Sequence, residues 1–197
     1  METAAPFGIT VCGIEELADH CEVGVSHVLS ILDPAWPVPE AFGRFGEHAR
    51  LELRFHDVIE EVPGMVAPNE EHVARLLAFG RDLAAGPADD ARLLVHCHMG
   101  VSRSTASAAL VLAQALRGRP GGEVFRAILR VRPRAWPNLR MVEIGDAMLG
   151  RDGELVAAVA EVYRAQLEAR PQLGGFMERH GRGREVAAGR GLAAGAG

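Results

Sequence analysis

The sequence predicts a single-domain α/β fold in which a mostly parallel central sheet of four to five strands is flanked by helices. Three observations carry this. Apolar runs of strand length alternate with longer stretches whose apolar residues recur every three to four positions. The chain has 197 residues and is 48% hydrophobic, which suits one domain with a full core. At its centre, Leu93-Leu94-Val95, a tight loop and the apolar stretch 106–116 follow one another as buried strand, turn and core helix.

The elements follow in order. Residues 9–12 and 25–32 read as strands, with 14–20 as a short helix between them; 50–55 and 92–96 are the next strands. Pro68-Asn69-Glu70-Glu71 is a helix start, with proline in the first turn and acids facing the helix dipole. Val73, Leu76, Leu77 and Leu83 then form one side that packs on the sheet. Gly118-Arg119-Pro120 stops the helix that follows the central loop. Beyond it, Val124, Phe125, Ile128 and Leu129 make one helical stripe, and Leu155, Val159, Val162 and Tyr163 another. Residues 1–171 are therefore taken as the domain. Residues 172–197, rich in Gly, Ala and Arg, read as a disordered tail.

The loop between strand and helix holds the chemistry. His96-Cys97-His98-Met99-Gly100-Val101-Ser102-Arg103-Ser104-Thr105 places a cysteine and an arginine at its two ends, C-x5-R-S. A strand, a tight loop and a helix N-terminus build an anion cradle, because successive N–H groups and the positive end of the helix face one spot. The thiolate is the nucleophilic form of cysteine, and a helix N-terminus with an arginine nearby favours it. Arginine grips two phosphate oxygens at once and keeps its charge. Gly100 sits where the backbone turns its N–H groups inward and calls for positive φ. Ser104 is placed to donate a hydroxyl hydrogen bond to the sulfur.

The run H-C-x-x-G-x-x-R-S-T resembles the signature loop of the cysteine-dependent protein tyrosine phosphatases, most closely the dual-specificity-like branch. The resemblance covers roughly residues 8 to 150 and is specific at this loop. It implies a tyrosine phosphatase-like fold, with Cys97 as nucleophile and Arg103 as phosphate clamp. It further implies that His98, Met99, Gly100, Val101, Ser102 and Arg103 cradle the phosphoryl group and that Ser104 assists breakdown of a phosphocysteine. His96 matches the histidine that tunes the thiol from behind, and Asn138, after Pro137, matches an asparagine that holds the chain near the loop. Cys12 and Cys21 read as small core residues; the family leaves open that one of them protects Cys97 as a disulfide.

In that family an upstream aspartate protonates the leaving oxygen and then activates water. The alternating strand Leu51-Glu52-Leu53-Arg54-Phe55 runs into His56-Asp57, so Asp57 matches the acid. Glu60 and Glu61, in the longer loop that follows, and Asp33, at the end of the strand 25–32, are its rivals.

Composition narrows the function classes. The chain contains no lysine; its 21 basic residues are arginines, which excludes a Walker lysine and a Schiff-base lysine. The formal charge is −5, and residues 1–170 alone, with 24 acidic and 17 arginine side chains, reach −7. No basic footprint supports a nucleic-acid partner. The absence of a signal-like start or a bilayer-length apolar run points to a cytoplasmic protein without a membrane partner. His96 and His98 alternate as strand ligands would, yet no further ligands have metal-site spacing, and no metal or cofactor is expected. The expected function is a metal-independent phosphomonoester hydrolase acting on a phosphorylated protein or peptide, chiefly phosphotyrosine, with dual specificity open. The alternatives are a rhodanese-like sulfurtransferase and a non-catalytic phosphate-binding pseudophosphatase. Arg132 and Arg134 read as a solvated basic turn rather than as anion ligands.

Overall fold

The computed structural model describes residues 6–21, 24–86 and 91–191. Four strands, β1 (Gly8–Cys12), β2 (His27–Leu32), β3 (Ala49–Arg54) and β4 (Arg92–His96), form a fully parallel sheet in the order β1-β4-β2-β3. The central strands are near-continuous apolar runs because helices cover the sheet. β4 lies between β1 and β2, with His96 opposite both Cys12 and Ser30. The segments after β1, β2, β3 and β4 therefore emerge along one edge, where open α/β sheets place their ligands. Asp33 directly follows β2 and Cys97 directly follows β4, while Asp57 lies three residues past β3.

Seven α-helices complete the described residues: α1 (Glu70–Ala85), α2 (Arg103–Ala115), α3 (Gly121–Val131), α4 (Leu139–Leu149), α5 (Glu154–Ala169), α6 (Gln172–Arg179) and α7 (Gly183–Gly189). Helix α2 is buried from Arg103 to Gln114, which explains why its sequence is small and apolar on every side. The expected stripes on α1, α3 and α5 face the core; Val73, Leu76, Val124, Ile128, Leu155 and Val159 are all buried. Among the described residues no helix is long and apolar enough to cross a membrane.

Three local expectations are corrected. Only Leu17–His20 of the segment 14–20 is helical, as a single 3-10 turn. Pro68 precedes α1 rather than entering its first turn. Asn69 is the cap, its side chain accepting from the His72 amide at 3.0 Å while the His72 ring accepts from the Asn69 amide.

The third correction is the largest. Residues 172–191 are not a disordered tail but fold back as α6 and α7; residues 192–197 lie outside the described residues. Glu185 is the anchor. Fully buried, it accepts hydrogen bonds from the Leu139 amide at 2.9 Å and from the Trp136 indole, and it takes a two-point grip from Arg182. Val186 is buried beside it, and Gly189 approaches the Tyr163 Cβ too closely to admit a side chain. Gly and Ala here serve close helix packing on α5, the opposite of what a Gly/Ala-rich composition suggests. The domain thus continues past residue 171.

Candidate active site

The cysteine loop owes its shape to where its carbonyl groups go. His98 O accepts from the Ile14 amide at 3.0 Å, and Met99 O and Gly100 O each accept from the Arg132 guanidinium at 2.9 Å. Val101 O accepts from the Trp136 amide at 2.9 Å and the Thr105 hydroxyl at 2.5 Å; Ser102 O accepts from the Ala106 amide at 3.0 Å. With these carbonyls turned outward and satisfied, the amides of Met99, Gly100, Val101 and Ser102 donate to no protein acceptor among the described residues. That is the geometry of an anion nest. Gly100 makes the turn at φ +65°, and a Cβ there would stand 2.4 Å from the Cys12 carbonyl carbon, so both backbone and space require glycine.

Cys97 sits at the start of this loop, 2% exposed, with its Sγ 3.2 Å from the Ser104 Oγ. Behind it, His96 is fully buried, its Nε2 2.7 Å from the Ser30 hydroxyl. Burial drives His96 from 6.5 down to about 4, so the ring is neutral. His98 accepts from the Asp33 amide through Nε2 at 3.2 Å. Burial also lowers His98, so its 3.6 Å approach to the Asp33 carboxylate is not an ion pair. The two histidines thus face different partners, and among the described residues no three His, Cys, Asp or Glu side chains gather to hold a metal ion.

Arg103 is 3% exposed. One terminal nitrogen, Nη1, donates to the Asp33 carboxylate at 2.6 Å and the Phe55 carbonyl at 2.5 Å. Its Nε is buried without a protein partner. A guanidinium fixed by Nη1 offers its Nε–Nη2 edge, which is the geometry for gripping two phosphate oxygens.

Asp57 reaches the same place from β3. Its Oδ1 accepts from the Ser102 hydroxyl at 2.7 Å and the Asn138 amide group at 2.9 Å, and Arg182 Nη1 lies 3.3 Å away. Burial would raise this carboxyl, but Arg182, Arg103 and the two hydrogen bonds outweigh it and hold Asp57 below the usual range. Asn138 also caps α4, accepting from the Met141 amide at 3.1 Å, so one side chain ties the acid to a helix start.

The rivals of Asp57 sit elsewhere. Glu60 pairs with Arg184 and Glu61 with Arg140 on the outer surface, while Asp33 holds Arg103. Arg132 is not part of a solvated turn. Besides holding the loop carbonyls it pairs with Glu16 at 2.9 Å, so it braces the nest from behind. Arg134 is half-exposed and lines the pocket. Cys12, Cys21 and Cys97 are all free thiols, and burial first, then the Glu16 carboxylate, pushes Cys12 up to about 12.

A cavity of about 520 Å³ opens over Cys97. Its floor is the loop from Cys97 to Arg103, and one wall is Asp57, Val58 and Met65. The opposite wall comes from the C-terminal segment: Leu173, Phe176, Met177 and His180, with Arg182 at its base. Sequence reading missed the Asp33 tie, the brace by Arg132 and the whole α6–α7 wall. The spacing Arg182-x-x-Glu185 was the one available signal, a helical ion pair inside a glycine-rich run.

A parallel sheet with a cysteine loop between its central strand and a buried helix is the architecture of the cysteine-dependent, dual-specificity-like phosphatases, and this chain has that fold. Human DUSP28 superposes with a TM-score of 0.53 at 18% identity, covering 75% of this chain and 96% of its own. The human tyrosine phosphatase-like serine/threonine/tyrosine-interacting protein gives 0.55 at 16% identity, over 74% and 93% of the two chains. DUSP15 gives 0.51 at 21% identity, over 85% and 95%. By sequence, no family model and no curated protein matches the chain.

Proposed function

We propose that this chain is a metal-independent phosphomonoester hydrolase that works through a phosphocysteine, with phosphotyrosine in a protein or peptide as its preferred substrate. One observation carries the reading. The Cys97 sulfur lies 3.2 Å from the Ser104 hydroxyl, at the floor of a nest whose carbonyls are all turned away. The likeness of fold to phosphatases supports it.

In the first step the Cys97 thiolate attacks phosphorus. The S–P bond forms, the P–O bond to the leaving group breaks, and Asp57 supplies the proton that the leaving oxygen takes. Arg103 and the amides of Met99 to Ser102 hold the equatorial oxygens where charge accumulates. In the second step Asp57, now a carboxylate, takes a proton from water as the water oxygen attacks phosphorus. The S–P bond breaks, and the Ser104 hydroxyl donates to the departing thiolate.

Pocket chemistry favours an aryl ester. Above the loop floor the walls include Trp136, Leu173, Phe176 and Met177, an apolar surface that suits an aromatic ring, with Arg134 and Arg170 also on the lining.

The test is hydrolysis of p-nitrophenyl phosphate in EDTA by wild type and Cys97→Ser. Activity that vanishes in the variant, while inorganic phosphate still binds it, is expected. Hydrolysis retained by Cys97→Ser would exclude the phosphocysteine. Inactivity of both proteins would leave a phosphate-binding module, or a sulfurtransferase if thiosulfate and cyanide then yield thiocyanate.

A further inference from the structure

The C-terminal hairpin does more than close the pocket. Arg182, at the N-terminal border of α7, is 6% exposed and joins three elements through one guanidinium. Its Nε and Nη2 donate to Glu185 Oε2 and Oε1 at 2.9 and 2.7 Å, and Nη2 also donates to the Ser102 Oγ at 2.9 Å. Its Nη1 stands 3.3 Å from the Asp57 Oδ1. Glu185 is in turn fixed by the Leu139 amide and the Trp136 indole, so the arginine cannot swing away without breaking a buried network.

We propose that Arg182 is a positioning residue for proton transfer: the α6–α7 hairpin delivers a guanidinium that holds the Asp57 carboxyl and the Ser102 hydroxyl in one fixed arrangement beside the Cys97 loop. The inference rests on the reading of Asp57 as the acid of a phosphocysteine mechanism. Ser102 Oγ is the link. It receives a hydrogen bond from Arg182 and donates its own proton to Asp57, so the arginine acts on the same carboxylate oxygen both directly and through the hydroxyl.

The charge environment has a definite sign. Facing Asp57 are two cations, Arg182 and Arg103, and the His98 ring, which burial makes a weaker base than a free imidazole. Glu185 lies behind Arg182 and neutralises part of its charge, and the buried Tyr163 of α5 stays protonated because burial raises it well above its ordinary value. The net field favours the carboxylate. Asp57 is then a stronger acid than a free aspartate and is protonated only below the usual carboxylate range. The rate should therefore fall as pH rises past the Asp57 titration, and that descending limb should lie on the acid side.

The experiment is the pH dependence of kcat/KM for phenyl phosphate, whose poor leaving group needs the proton of the acid, in full-length wild type, Arg182→Met and Arg182→Lys. Removing the charge should move the descending limb upward by about one pH unit or more, and lysine should hold it near the wild-type position. Because Arg182→Met leaves Glu185 buried without its partner, Arg182→Met/Glu185→Gln is measured beside it, with thermal unfolding as the check on folding. In wild type itself, the ¹³C carboxyl titration of Asp57, assigned by its loss in Asp57→Asn, reads the same quantity without altering the hairpin. A limb that stays in place in folded Arg182→Met, or an Asp57 carboxyl titrating at or above 3.8 in wild type, overturns the role of Arg182. Absence of Cys97-dependent hydrolysis in wild type is a different failure, that of the phosphatase reading.

Discussion

Arg103, in the floor of the pocket, is locked to Asp33, Nη1 to Oδ1 at 2.6 Å, with the Phe55 carbonyl taking a second bond from the same nitrogen. The pairing turns the free edge of the guanidinium, with its unpartnered Nε, into the only orientation available for an incoming anion. Asp33 is in this view the orienter of the clamp rather than a second acid.

Asp33→Ala should therefore weaken the clamp. Losing a charge-assisted anchor should raise KM for p-nitrophenyl phosphate and the Kd for inorganic phosphate about tenfold, with little change in leaving-group dependence. Tighter phosphate binding in Asp33→Ala would mean that the carboxylate competes with substrate for Arg103 and does not orient it.

Asp57→Asn separates the acid from its rivals. The amide keeps the hydrogen bonds from Ser102 or Asn138 in part but cannot supply a proton. Turnover should drop by roughly 10²–10⁴-fold for phenyl phosphates with poor leaving groups and far less for p-nitrophenyl phosphate. Comparing the two slopes of log kcat against leaving-group acidity decides the matter; parallel slopes would remove Asp57 from the first step. Glu61→Gln and Glu60→Gln, on the outer surface, should leave both slopes unchanged.

His96 makes the fold acid-sensitive. In the native state the ring titrates near 4, whereas in the unfolded chain it titrates near 6.5, so between these values the unfolded chain binds the extra proton. Stability attributable to this ring is complete above 6.5 and is lost as pH falls towards 4, by about 3 kcal/mol in all. Urea unfolding of wild type and His96→Gln at pH 7.5, 6 and 4.5 measures it. The stability difference between the two proteins should shrink on acidification, and a constant difference would place the acid sensitivity elsewhere.

Gly100→Ala is expected to cost about 1–2 kcal/mol from the left-handed backbone alone, before the contact of its Cβ with Cys12 is counted. Because relief of that contact must move the loop, inorganic phosphate affinity should fall together with the melting temperature. Full phosphate affinity in a folded Gly100→Ala would show that the nest tolerates a shifted turn.

The four strands, the α2 helix and the Cys97–Arg103 loop were legible in the sequence because each is specified by neighbours along the chain. Alternating or continuous apolar runs set which face is buried, and a loop of five residues between cysteine and arginine leaves little freedom in how its ends meet. Asp57 was legible only as the first acid after a strand; that it meets Ser102 and Asn138 is decided by contacts 45 and 81 residues away in sequence. The same holds for Asp33 and Arg103, 70 residues apart. Composition read the last segment as tail because glycine and alanine lower its local hydrophobicity. Only folding against α5 and the 132–138 turn makes those small residues an advantage, by letting Gly189 touch Tyr163 and by burying the Arg182–Glu185 pair. Sequence by itself determined the sheet, the cysteine–arginine loop and its nest of amides, which are local. Tertiary structure decided which carboxylate meets Ser102 and Asn138, which one pairs with Arg103, and that a C-terminal hairpin walls the pocket, because each depends on side chains that meet only after distant segments pack.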